Sequence, residues 1–170
     1  MAVTLERLNA FPASEAEAEL LTCCASGVWA AAVAADRPYD DLAGLRAAAA
    51  RHLAALDWAE IDKALAAHPR IGDRVGGGDR EARWSRGEQS GMDAAADATR
   101  QALYEGNVAY EERFGHVFLI CATGLSADRM LASLRERLTH DPDTERAVVR
   151  TELAKIVEIR LSKLLSEENA

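Results

Sequence analysis

Only one run in this chain has the character of a strand, Val117-Phe118-Leu119-Ile120-Cys121, bounded by Gly115 and Gly124, and no second run is visible to pair with it. A strand without a partner cannot build a sheet. The segment from 117 to 121 is therefore expected to run extended and isolated, its main-chain groups satisfied elsewhere, in a chain that is otherwise all-α. Composition agrees: 49% of the residues are hydrophobic but only 5% aromatic, which favours helices packed through small and aliphatic side chains. A length of 170 residues suits a single-domain helical bundle over 1–170, able to bury about 70% of the surface its unfolded chain exposes.

Helix boundaries are legible in several places. Ser14 with Glu17 three residues on reads as a capping box opening a helix towards Cys24, and Gly27 marks a restart that runs from Val28 to Ala35 and stops at Asp36-Arg37-Pro38. From Asp41, the apolar positions Leu42, Leu45, Ala49, Leu53 and Leu56 recur with helical period. A second capped start at Asp57 leads through Ile61 and Leu65 to His68-Pro69. A long irregular stretch from Arg70 to about Arg83 holds Gly72 and the run Gly76-Gly77-Gly78. It has neither the preceding strand nor the following Lys of a phosphate loop, so a flexible loop is expected. Helical pattern resumes near Ser85, a long helix spans Asp93 to Phe114 with Gly115 as a left-handed cap, and another runs from Ser126 to Leu138. Asp141-Pro142 opens a last helix to Leu165, about 36 Å long.

The net charge of −8 repels a polyphosphate backbone, and the arginines are interleaved with acidic residues, so nucleic acid and anionic membranes are disfavoured as partners. Cys23, Cys24 and Cys121 give neither a CxxC pair nor an even disulfide framework and read as reduced core fillers. With no basic leader, no apolar run of membrane-spanning length and no peroxisomal ending in Glu168-Asn169-Ala170, a cytoplasmic protein is expected. The four histidines lack HxxxH or HxH spacing, so no metal site is expected. His52, His116 and His140 read as structural.

Residues that break the pattern around them mark functional or strained places. Val149, Leu153, Ile156 and Leu164 form one stripe of the last helix, and Arg160 lies on it. A guanidinium cannot shed its charge and is costly to bury without an anionic partner; it either pairs with a core carboxylate or faces a substrate pocket. His68 follows a helix directly and precedes Pro69, whose ring stiffens the backbone that carries the imidazole. Ser85-Arg86-Gly87-Glu88-Gln89 reads as a second capping box, with the alternative that its free amides hold an oxygen of a ligand.

Taken in order, Ala67-His68-Pro69-Arg70-Ile71-Gly72, Ser85-x-x-Glu88-Gln89, Asn107-x-x-Tyr110-x-x-x-Phe114-Gly115, Phe118-Leu119-Ile120-Cys121-Ala122 and Glu158-Ile159-Arg160-Leu161 resemble the OHCU decarboxylase family. These enzymes act on 2-oxo-4-hydroxy-4-carboxy-5-ureidoimidazoline, the last unstable intermediate between urate and (S)-allantoin. The likeness covers nearly the whole chain, Arg37-Pro38-Tyr39 included. It implies an all-α homodimer without a cofactor. His68 would be the catalytic acid/base, Glu88 its acidic companion and Arg160 a catalytic or ligand-binding cation. Pro69, Ser85, Arg86, Gly87, Glu88 and Gln89, with the backbone of Ile120, Cys121, Ala122, Thr123 and Gly124, would line the substrate.

The chemistry suits these residue types. Decarboxylation leaves an electron pair on carbon, commonly held by pyridoxal phosphate, thiamine, a metal or a lysine imine. Lys63, Lys155 and Lys163 all fall in charged or polar helical surroundings, which disfavours an imine. The implied substrate carries its own sink, because the carboxylated carbon adjoins a delocalising ring system. An imidazole with an ordinary pKa near ~6.5 exchanges protons at neutral pH, and a neighbouring carboxylate favours its charged form. Two rivals stay open: a non-catalytic helical module that docks partners through its Ala-rich faces, and a ureide or amide hydrolase with a metal or activated nucleophile beside His68.

Overall fold

The computed structural model describes residues 2–73 and 76–166, so Arg74 and Val75 of the irregular loop and the terminal Glu168-Asn169-Ala170 lie outside the described residues. Among the described residues there are nine α-helices and no strand. They are α1 (Leu5–Ala10), α2 (Ala13–Leu21), α3 (Gly27–Ala35), α4 (Leu42–Ala54), α5 (Trp58–Leu65), α6 (Arg80–Glu88), α7 (Asp97–Phe114), α8 (Ala127–Arg137) and α9 (Pro142–Ser166), with a 3-10 turn at Ser90–Met92. The chain divides into two compact units, one of Met1–Ala64 with Ala154–Ala170 and one of Leu65–Leu153. The long helix α9 contributes its first half to one and its second half to the other.

In the unit built on the N-terminal helices, α3 packs against both α2 and α4. Ser26 caps α3 through its hydroxyl, which accepts from Trp29 N, and Asp41 caps α4 by accepting from Gly44 N. The Trp29 ring is fully buried and its indole N–H donates to the carbonyl of Ala49 at 3.0 Å, joining α3 to α4. Arg37 is the fastener of this region. Its Nε donates to Ala34 O at 2.7 Å, and its Nη1 donates to Leu8 O at 2.6 Å and to Phe11 O at 2.8 Å. Those carbonyls lie at helix ends, where the last C=O groups lack a regular i+4 amide, and Ala34 O also accepts from Arg37 N at 3.4 Å. Charge-assisted bonds of this kind are worth more than neutral ones, so Arg37→Met is expected to destabilise the protein by about 2 kcal/mol in urea unfolding, against well under 1 kcal/mol for exposed Arg51→Met.

The other unit has its own core of Ile71, Met92, Leu103, Tyr110, Phe118, Ile120, Ala122, Ala127, Met130, Leu131 and Leu134. Here α7 packs against α8 at a close approach: a Cβ built on Gly106 would lie 2.5 Å from Leu134 Cδ2. Gly115 ends α7 in the left-handed region, φ +79°, as its place after Phe114 predicts.

Several boundaries differ from the sequence reading. The short helix α1 is not foreseen; Thr4 caps it by accepting from Arg7 N. Helix α2 starts at Ala13 behind Pro12, without a side-chain cap, so the Ser14–Glu17 capping box does not form. Helix α6 begins at Arg80, because Asp79 accepts from Ala82 N and outcompetes Ser85 as cap; Ser85 therefore sits inside a helix. The helix expected from Asp93 begins at Asp97, after the 3-10 turn. The run 117–121 has neither helix nor strand assignment.

Candidate active site

Asp57 accepts from Glu60 N at 2.9 Å to start α5, and Ile61, Ala64 and Leu65 supply its buried face. One turn beyond the helix end, His68 N donates to Leu65 O at 2.9 Å. Pro69 then turns the chain away, leaving His68, Pro69 and Arg70 half-buried. Ile71 drops into the core, Gly72 takes φ +91°, and Asp73 N closes back on Arg70 O at 3.1 Å. The candidate acid/base thus stands on a short strap, not on a helix.

On α6, Ser85 and Glu88 are three residues apart and share the buried face, 6% and 8% exposed, while Arg86 and Gly87 face outward. A buried carboxylate on a short helix is the kind of departure that marks a working residue. Ser85 offers no free helix-start amides, which overturns the idea that such amides hold a ligand there: Ser85 lies inside the helix, and Ser85 O accepts from Gln89 N at 3.2 Å. Gln89 turns back on the strap, its Oε1 accepting from Gly72 N at 3.0 Å. Outward from this helix, Arg83 and Arg86 donate to Gly78 O and Gly77 O, each at 2.8 Å, which ties the glycine run to α6. A cavity of about 480 Å³ is lined by Gly72, Asp73, Arg86, Gln89, Met92, Asp93 and Arg100. It takes in Arg86 and Gln89 but neither His68 nor Glu88.

The segment after Gly115 finds the main-chain partners its isolation demands. Arg137 Nη1 donates to Leu119 O at 2.6 Å, and Cys121 N donates to Glu152 Oε1 at 3.2 Å. Phe118, Leu119, Ile120 and Ala122 are buried, Cys121 is half-buried, and Thr123 and Gly124 reach the surface, Gly124 with φ +78°. Leu125 N closes on Ala122 O at 3.0 Å to form the turn before α8.

Arg160 belongs to the N-terminal unit. It is 6% exposed, on the same face of α9 as buried Leu153, Ile156 and Leu164. It lies close enough to the buried Cys24 thiol to act on it. Burial pushes that thiol up to about 12, while the Ser26 amide and the Arg160 cation pull the other way and the Glu60 carboxylate adds to the rise. Glu60 is itself held by Ser26 Oγ at 3.0 Å and Lys63 at 2.7 Å. The three cysteines form no disulfide. Among the described residues, no group of three or more His, Cys, Asp or Glu is placed to hold a metal ion, and no helix is long and apolar enough to cross a membrane.

Two supporting residues escape the sequence reading, Arg137, 3% exposed, and Glu152, 9% exposed, while Asn107, 2% exposed, stands there in the family-like motif with no role given to it. The signal was present. Asn107 interrupts the stripe Leu103–Tyr110, and Arg137 extends the stripe Met130–Leu134, the same broken pattern that singles out Arg160.

Among the described residues the helices carry no sheet, a buried carboxylate on α6, a buried guanidinium on α9 and a histidine on a proline-stiffened strap, features of an all-helical protein. The OHCU decarboxylase family model matches residues 9–162, and the chain belongs to that family. It is 33% identical over 142 residues to the 2-oxo-4-hydroxy-4-carboxy-5-ureidoimidazoline decarboxylase of Amia calva, covering 81% of this chain and 80% of that protein. It is 39% identical over 115 residues to the uric acid degradation bifunctional protein TTL of Arabidopsis thaliana, covering 66% of this chain but only 35% of that longer protein. Its backbone matches a crystal structure of OHCU decarboxylase determined in the presence of (S)-allantoin, with TM-score 0.76, 29% identity, and coverage of 87% of this chain and 97% of that one. A crystal structure of (S)-allantoin synthase, at 21% identity and TM-score 0.72 over 96% of this chain and 54% of that one, shares the fold.

Proposed function

We propose that this chain decarboxylates 2-oxo-4-hydroxy-4-carboxy-5-ureidoimidazoline to (S)-allantoin without a cofactor. The observation that carries the reading is the match of residues 9–162 to the OHCU decarboxylase family. The C–C bond to the carboxylate breaks, carbon dioxide leaves, and the electron pair passes from the hydroxyl-bearing ring carbon into the adjoining C=N system, leaving an enol. The imidazolium of His68 then delivers one proton to one face of the neighbouring, ureido-bearing carbon, while the hydroxyl on the decarboxylated carbon becomes the carbonyl of allantoin and its proton passes to the ring nitrogen; the Glu88 carboxylate favours the charged imidazole, whose proton solvent restores. Arg160 holds an anionic group of the substrate, and Pro69, Ser85, Arg86, Gly87, Gln89 and the backbone from Ile120 to Gly124 line it. The protein works as a homodimer in the cytoplasm.

The product's handedness is the sensitive readout, because the same intermediate decays spontaneously to racemic allantoin. Urate oxidase product generated in situ, mixed with the protein, is expected to release carbon dioxide faster than the blank and to develop the circular dichroism of (S)-allantoin. Carbon dioxide release at the blank rate with an optically inactive product would favour the docking-module reading. Ring opening without carbon dioxide would favour the hydrolase.

A further inference from the structure

We propose that Asn107 is a positioning residue for the proton donor: from inside α7 it fixes the strap that aims the His68 imidazole. The inference rests on the assignment of proton delivery to His68 made above. His68 stands beyond the end of α5, so its main chain is placed by the run 68–72. Its front is tied by His68 N to Leu65 O at 2.9 Å. Its rear is tied by Asn107 Nδ2 donating to Ile71 O at 3.0 Å and by Gly72 N donating to Gln89 Oε1 at 3.0 Å. One turn along α7, Glu111 adds a 2.8 Å ion pair to Arg70. Of these ties only the amide of Asn107 grips the main chain of the strap from within the core.

Folding stability draws little net gain from an amide at this place, which satisfies the buried Ile71 carbonyl but leaves its own acceptor unmatched. Asn107 is 2% exposed, between Leu103 and Tyr110 on the buried face of α7, and its Oδ1 has no hydrogen-bond partner among the described residues. A buried, unsatisfied acceptor is destabilising; an aliphatic side chain would remove that cost but take the donor from the Ile71 carbonyl, and the two effects offset in large part. The reversed amide would set Oδ1 against the Ile71 carbonyl, acceptor to acceptor, so the bond to Ile71 dictates the orientation and leaves Oδ1 unmatched. What the amide supplies is a fixed place for Ile71, three residues from the imidazole. Displacing a reacting group by about 1 Å costs on the order of 10²-fold in rate.

The test compares purified full-length wild type, Asn107→Leu, Asn107→Asp and His68→Asn with substrate made in situ by urate oxidase, reading kcat, KM, enantiomeric excess and melting temperature. Asn107→Leu is expected to melt within a few degrees of wild type, to lose at least about ten-fold in kcat with KM changed less than about three-fold, and to yield allantoin of reduced (S) excess. Asn107→Asp carries its own signature. Protonated, its carboxyl donates to Ile71 O as the amide does; ionised, it only accepts. Its kcat should therefore approach wild type at the acid end and fall as pH rises with the ionisation of the new carboxyl, a limb additional to the one that loss of the His68 imidazolium gives wild type. A purely structural role would move the melting temperature and leave both the kcat split and the pH profile alone. Wild-type kcat and (S) excess in folded Asn107→Leu, or a wild-type pH profile in Asn107→Asp, overturns the inference; if Asn107→Leu does not fold, Asn107→Asp decides. Should His68→Asn keep the full (S) excess, the assignment to His68 falls and takes this inference with it. Should only the Asn107 variants keep it, the inference falls alone.

Discussion

Replacing Arg137 by leucine is expected to destabilise the protein by about 3–5 kcal/mol, because it strands a carboxylate in the core. Glu145 is fully buried near the start of α9, and three groups converge on it. Arg137 contacts its Oε1 through Nη2 at 2.5 Å and Nε at 2.7 Å, the Tyr110 hydroxyl donates to the same oxygen at 2.5 Å, and His140 Nδ1 lies 3.0 Å from Oε2. Burial and the bond to Glu145 both push the Tyr110 hydroxyl above its ordinary range, so the phenol keeps its proton and remains a donor. The guanidinium also stacks over Phe118 at 4.5 Å and holds the Leu119 carbonyl. For a chain of this size the loss corresponds to a fall in melting temperature of roughly 6–20 °C. The double replacement Arg137→Leu with Glu145→Leu should recover part of it, since the uncompensated charge is then gone. Thermal unfolding of both variants checks this: a single variant that melts within 2 °C of wild type would mean the carboxylate finds another partner or takes up a proton cheaply.

The same network shows what a sequence can and cannot disclose. Helix limits set by one local residue are legible: Gly115 at the end of α7, Asp41 at the start of α4, Pro142 at the start of α9. Where two caps compete the outcome depends on neighbours, and Asp79 wins over Ser85 because a turn further back the chain is already free to begin α6. A buried cation announces itself by sitting on an apolar stripe, as Arg160 does. Its partner does not, because Glu145 lies beyond the end of α8 and only the turn between α8 and α9 brings it onto Arg137. The partners of the isolated segment are illegible for the same reason: Leu119 and Cys121 are served by side chains 18 and 31 residues away. For the candidate site, the residue types and their order carried the family, while the ties that hold them, through Asn107, Gln89 and Glu152, depend on tertiary contact.

His68→Asn is expected to lower kcat by about 10²–10⁴-fold, the usual contribution of a positioned acid/base, and to abolish the (S) excess of the product. Asparagine keeps a polar side chain of similar reach and can occupy the half-buried place of the imidazole beside Pro69. It cannot exchange a proton near neutral pH. The two observables separate two kinds of loss. If His68 only bound the carboxylate, its removal would raise KM and leave the handedness of the surviving product intact, because the face open to protonation would still be set by the walls of the site. If it delivers the proton, water must do so in the variant, and water reaches the ring carbon from both faces, so rate and handedness fall together. Arg160→Lys supplies the contrast. It keeps the charge but loses the planar fork that grips an anion at two points, so KM should rise while the product remains (S). Stopped-flow circular dichroism on the two variants reads both outcomes. An optically active product formed at the wild-type rate by His68→Asn would assign the proton to another group.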